Sequence, residues 1–289
     1  MATLQSTRPD VPPYPSYRAV QSERIPITFN ACMNCLFWPL EGAFPEAISM
    51  MKHPRGSKED LDPFYRSAIT AGVDDNNDDG SNSGSGPWHE CALEPVTDPK
   101  VSSIEISARE LDQWDSDWVA WHEIHHDAQC APDANQQFVA YGDLDDDIRP
   151  FRREGEEDGD WEEHSEKEFL IRCCGQDRPL GKKGQTLLVT PASGYDFVTV
   201  RDFVGAVHPW LMSMQDDLAR AKTVARWEAF PESTRWVVNY HGLTSSSRGG
   251  EENALVQREK WIQEHGPLRP ADEAWKSRFM AKIKKTQEG

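Results

Sequence analysis

The run His122-Glu123-Ile124-His125-His126 satisfies the pattern H-E-x-x-H. On a helix, residues four apart share a face, so His122 and His126 can offer two imidazole nitrogens to one zinc ion about 2.0–2.1 Å away. Glu123 would then lie beside the metal and take a proton from its bound water, leaving a hydroxide able to attack a peptide or ester carbonyl. A third protein ligand is needed. The extended pattern H-E-x-x-H-x-x-G-x-x-H is not met, because Gln129 stands at the Gly position and Pro132 at the third His. Asp145, Asp146 and Asp147 are at a plausible separation but belong to a densely acidic run, and Asp127 puts a charge directly after the second His. The competing reading is structural: His122, His125 and His126 form the polar edge of a Trp-rich packing helix, paired with Asp115, Asp117 or Glu123.

A second metal reading comes from the cysteines. Cys32 and Cys35 have zinc-knuckle spacing, and His89 with Cys91, or the adjacent Cys173 and Cys174, complete four ligands if the fold brings them together. No second C-x-x-C exists, and an isolated pair also reads as two small buried hydrophobes. A redox dithiol is disfavoured because LFWPLEG after Cys35 has no clear strand-to-helix context. Without a signal peptide at the N-terminus the six cysteines are expected to be thiols or ligands rather than disulfides. No G-x-S-x-G elbow, phosphate-binding loop or dinucleotide fingerprint is present.

These residues need elements to hold them. Leu111, Trp114, Trp118 and Trp121 recur at helical spacing and predict an apolar stripe leading into His122. Residues 169–171 and 186–190 are short apolar runs bounded by Gly175, Gly181, Gly184 and Pro191, which predicts buried strands with a turn between them. Residues 197–200 read as a further strand, and Thr199 with Asp202 as a helix-opening cap. Pro209 is expected to end that helix and begin another, whose stripe is Leu211, Met214, Leu218, Ala221 and Ala225. Residues 235–240 read as a final strand. The expected class is α+β: a small sheet of short strands packed by two or three helices, with long loops.

Around these elements the chain is polar. Residues 1–24 hold Pro9, Pro12, Pro13 and Pro15 and read as a loose arm. Residues 25–70 and 88–142 form an N-terminal part, separated by a linker at 71–87 of Asp, Asn, Gly and Ser. Residues 143–167 form an acidic loop; with Glu168 the run has thirteen acidic residues against four basic ones, a solvated surface or a docking site for a basic partner. An α+β core follows at 168–243, and 244–289 carry C-terminal helices ending in a basic amphipathic tail through Trp275, Phe279 and Ile283.

The stretch FVTVRDFVGAVHPWL at 197–211 resembles the signature of a fungal family described as a domain of unknown function. The matching positions are Val198, Thr199, Val200, Asp202, Val207 and His208. TLLVTP and TRWVVNYHGL fall where that family places neighbouring strands. The resemblance spans roughly 168–243 and implies an intracellular fungal protein with a small α+β domain, without implying an activity.

Composition limits what such a chain does. A formal charge of -18 excludes a general nucleic-acid binder, which needs a clustered basic face. No window approaches the roughly 20 apolar residues of a membrane span, so an intracellular protein, cytoplasmic or nuclear, is expected. Eleven Trp and eleven Phe are enough aromatic surface to anchor a packed core. The reading favoured by the incomplete ligand set is an intracellular non-catalytic interaction or regulatory protein whose acidic loops face a protein partner, with no cofactor assigned beyond the zinc considered above. The alternative is a zinc-dependent hydrolase using His122, Glu123 and His126.

Overall fold

The computed structural model describes residues 14–52, 61–67, 87–123, 135–140, 143–144, 168–192, 194–226, 230–244 and 253–265. Along them run α1 (Tyr17–Ser22), β1 (Thr28–Phe29), α2 (Ala31–Asn34), β2 (Leu36–Phe37), β3 (Ser49–Met51), β4 (Leu61–Pro63), β5 (Thr97–Asp98), β6 (Ile104–Ser107) and α3 (Arg109–Glu123). They continue through β7 (Gln137–Ala140), β8 (Glu168–Cys173), β9 (Gln176–Asp177), β10 (Thr186–Val189), α4 (Val200–Ser213), α5 (Gln215–Arg226), β11 (Trp236–Val238), β12 (Leu255–Gln257) and α6 (Arg258–His265). The fold is α+β. The strands are spread over several two- and three-stranded antiparallel sheets, with orders β1-β5, β6-β10, β11-β12, β2-β3-β4 and β7-β8-β9.

Pairing distant segments ties the two halves of the chain together. β6 lies against β10, with Ile104 opposite Val189, while Pro39 bridges to Val237 and Pro95 to Thr199. One buried cluster accordingly runs from Tyr17 to Leu255 and includes Trp38, Phe64 and Phe203. Burying aromatic side chains of this size is the main favourable term available to a chain otherwise so polar. Within this core an ion pair is also buried. The Glu110 carboxylate accepts the Ala254 and Leu255 N–H groups at 3.0 and 2.9 Å and lies 3.5 Å from Lys222 Nζ, which donates to Leu255 O at 2.7 Å. Burial pulls Lys222 below the ordinary lysine range and the Glu110 charge opposes that fall. This joins α3, α5 and β12 at one point.

Several expectations change. The loose arm does not extend to residue 24, because Tyr17 and Val20 are buried and Ser16 caps α1 through its side chain. No strand forms at 197–200. Thr199 instead makes the expected capping box with Asp202, and α4 begins at Val200. Pro209 neither ends a helix nor starts one. A mid-helix proline loses one bond and costs about 3 kcal/mol, but Phe203, Val204, Val207, His208 and Leu211 bury one continuous face across it. The interruption falls instead at Met214, so the predicted stripe is shared between α4 and α5 and Ala225 is exposed. β10 is not buried on both faces, since Leu188 is 61% exposed. β11 is not the last strand, since it pairs with β12. Nearly all of the 71–87 linker, most of the acidic run from residue 145 to 167 and the tail around Trp275 lie outside the described residues. Among the described residues no helix is long and apolar enough to cross a membrane.

Candidate functional site

α3 presents Leu111, Trp114, Trp118 and His122 to the interior. The spacing of three, four and four residues is that of one helical face, and it ends on the histidine rather than on Trp121, which is half-buried. His122 is fully buried with its ring 4.2 Å from that of Trp118, whereas Glu123 is exposed. The metal ligand and the proton acceptor predicted for a hydrolase therefore occupy different environments. His125, His126 and Asp145 to Asp147 lie outside the described residues.

What faces His122 comes from a distant hairpin. β8 and β9 are joined by a two-residue turn, Cys174-Gly175, with Cys173 opposite Gln176. Both turn residues have positive φ, 52° and 75°, the pattern of a type I′ turn. Glycine adopts this conformation freely and cysteine does not. Because Cys174 leaves the extended path, its sulfur does not point away from that of Cys173 as on a strand; the two lie 3.9 Å apart. One nitrogen of His122 and both sulfurs all fall within 4.8 Å of one another. Cys173 is fully buried and Cys174 exposed. Burial pushes the Cys173 thiol up, and its hydrogen bond with Cys174 adds to the rise.

Cys32 and Cys35 meet a different partner. Both pack against the core, on and just after α2, and the Cys91 thiol shares a hydrogen bond with that of Cys32. Of the two completions expected for this pair the fold supplies Cys91, while Cys173 and Cys174 group with His122 instead. His89 Nδ1 accepts the Cys91 N–H at 3.2 Å, which caps a 3-10 turn at Glu90–Leu93. The thiols of Cys35 and Cys91 are pushed up, chiefly by burial and then by neighbouring thiols. Their sulfurs do not come together within 4.8 Å as a set of three.

Beside the hairpin, α3 and α5 bound an open groove of about 1070 Å³. Trp114, Trp118 and Trp121 from α3 and Phe230 and Trp236 from the β11 approach supply its apolar lining. The indole N–H groups of Trp114 and Trp118 are buried without an acceptor among the described residues. Charged residues in the lining are mostly engaged. Arg178 donates from Nε and Nη2 to the two Asp115 oxygens at 2.6 and 3.0 Å and lies 3.8 Å over the Phe169 ring. Lys182 pairs with Asp217 at 2.6 Å, Glu41 accepts the Trp236 N–H, and Asp177 pairs with Arg172. Arg220, Arg235 and Glu232, also in the lining, have no ion-pair partner among the described residues. Sequence reasoning missed this groove because its walls are set by long-range packing of α3 on α5, although the Trp spacing on α3 was a signal.

The residues of the 197–211 signature do structural work. Thr199 and Asp202 cap α4, Val200 and Val207 are buried, and His208 Nδ1 accepts the Trp38 indole N–H at 3.0 Å. No family model, curated protein or solved structure matches the chain.

Proposed function

We propose that the chain is a non-catalytic binding protein whose recognition element is the groove between α3, α5 and the β8–β9 hairpin, and that its occupant is an extended segment of a protein partner carrying aromatic or aliphatic side chains beside carboxylates. The observation that carries this reading is the lining itself: indoles and a phenyl ring together with two arginines, Arg220 and Arg235, that have no ion-pair partner among the described residues. In a chain of net charge -18, two arginines outside ion pairs beside aromatic surface, with Glu232 the acid of the same lining, favour an apolar ligand whose carboxylates reach Arg220 and Arg235. The groove's volume stands at the upper end of small-molecule clefts, which run to about 1,000 Å³, so it accommodates several residues of peptide. The basic partner expected from the acidic run remains a property of residues outside those described, and it does not bear on the groove. The resemblance to a fungal family is part of this proposal and adds no activity to it.

The test is fluorescence polarisation with a labelled peptide alternating Trp or Leu with Asp or Glu, set against the same peptide with Lys in place of every acid. The acidic peptide should bind, the basic one should not, and Arg220→Glu with Arg235→Glu should weaken binding by about tenfold or more, corresponding to about 1.4 kcal/mol. Equal binding of the two peptides, or indifference to the double charge reversal, rejects the groove as the docking element.

The zinc-dependent hydrolase is a second reading, favoured by the metal-capable surroundings of His122. It requires Glu123→Gln to retain bound zinc while losing hydrolysis of a peptide or ester substrate; unchanged turnover in that variant eliminates it.

A further inference from the structure

We propose that His122, Cys173 and Cys174 form a zinc site that fastens the last turn of α3 to the β8–β9 hairpin. The inference does not rest on the groove.

The geometry is that of a ligand set. Tetrahedral zinc with Zn–S of about 2.3 Å holds two thiolates about 3.8 Å apart, and an imidazole nitrogen about 3.6 Å from each. The two sulfurs here are 3.9 Å apart, and all three donor atoms lie within 4.8 Å of one another. Sulfur pairs and imidazole are the donors preferred by zinc among the common divalent ions. The backbone is the second observation. A Cys at φ 52° is strained, and it is this left-handed turn that swings the Cys174 sulfur to the side of Cys173. Strained non-glycine positions persist where the surroundings hold them, often at ligand clamps.

Burial divides the labour. His122 and Cys173 are fully buried and supply fixed donors, while exposed Cys174 gives the ion a route in from solvent. The set has three protein ligands among the described residues, which leaves the fourth position to water or another donor. Binding displaces the thiol protons to solvent as the sulfurs coordinate; no electron is transferred.

The experiment uses the full chain, stripped of metal with a chelator and kept reduced with a phosphine, and titrated with Co2+ and then Zn2+. One equivalent of Co2+ should bind with thiolate-to-cobalt charge-transfer absorption, and Zn2+ should displace it. Cys174→Ser, at an exposed position, should leave circular dichroism unchanged and weaken Co2+ binding at least tenfold; Cys173→Ser should abolish the charge-transfer band. Cys32→Ser with Cys35→Ser should leave both intact. Absence of uptake by the unmodified protein, uptake of undiminished affinity in Cys174→Ser, or uptake lost only with Cys32 and Cys35 overturns the site. Should Cys173→Ser fail to fold, the Cys174→Ser result decides alone.

Discussion

Two groups of thiols in this molecule illustrate how little sequence spacing alone says about coordination. Cys32 and Cys35 have the separation associated with zinc knuckles, and the fold even brings Cys91 to them, yet the neighbouring imidazole is used on backbone: His89 takes the Cys91 N–H. Burial raises the Cys35 and Cys91 thiols, but it raises Cys173 too, so thiol acidity does not separate the two groups. Cys173 and Cys174 have a spacing that no metal rule recommends, but a left-handed turn puts their sulfurs side by side and α3 delivers His122 to them. The difference is one of backbone conformation. A turn residue with positive φ does for adjacent cysteines what a helical or knuckle spacing does for separated ones.

The largest effect that can break this comparison is thermal. A ligand held only by the folded state at a hundredfold excess over its Kd adds about 2.7 kcal/mol, so saturating zinc should raise the melting temperature by roughly 5–10 °C for a chain of this size. Scanning calorimetry should show that rise in the unmodified protein and in Cys32→Ser, Cys35→Ser and Cys91→Ser, and its loss in Cys173→Ser. A rise that follows Cys32 instead would exchange the roles of the two groups.

That the fold is α+β was legible, because the short apolar runs at 169–171 and 186–190 and the Thr199–Asp202 cap are local signals that the structure keeps. What was not legible is long-range. Pro209 reads as a helix break by its own chemistry, and only the buried face from Phe203 to Leu211 overrides it. Of the candidate ligands, His122 was visible through H-E-x-x-H, but its partners were expected at His126 on the same helix and among Asp145, Asp146 and Asp147, while Cys173 and Cys174 were matched with Cys32 and Cys35. The partners the structure supplies are about fifty residues on, and only the hairpin register and the φ of Cys174 group them with His122 rather than with Cys32 and Cys35.

A smaller effect sharpens the role of the turn. Gly175 has φ +75° and an added Cβ would meet nothing within 4 Å, so Gly175→Ala carries a backbone cost of about 1–2 kcal/mol rather than a clash. It should lower stability by that amount and weaken zinc binding as the hairpin shifts. Cys174→Asn should do the opposite to stability, adding about 0.5–1 kcal/mol because Asn tolerates the left-handed region, while abolishing zinc binding. Chemical denaturation of the metal-free protein measures both. A Cys174→Asn variant that is less stable than the parent would mean that the cysteine is retained for packing and not for coordination.

The smallest effect separates His208 from His122, the two buried histidines among the described residues, and it has to be measured in chelator so that metal does not contribute. His208 is neutral in the fold: Trp38 donates to its Nδ1, its ring stacks at 4.7 Å on Phe44, and burial holds its pKa below the ordinary histidine value. Above about pH 6.5 the folded and unfolded states both carry it neutral, and it contributes no pH dependence. Below that, the unfolded chain takes up a proton that the folded state resists, so stability falls as pH drops from 6.5 toward the lowered value. Protonation would also place an N–H against the Trp38 donor. His208→Gln can still accept that indole N–H and cannot titrate, so its urea midpoint should decline less between pH 7.5 and 5 than that of the parent. Parallel curves would show that His208 takes up its proton as readily in the folded chain as in the unfolded one, which the Trp38 donor at 3.0 Å is there to oppose.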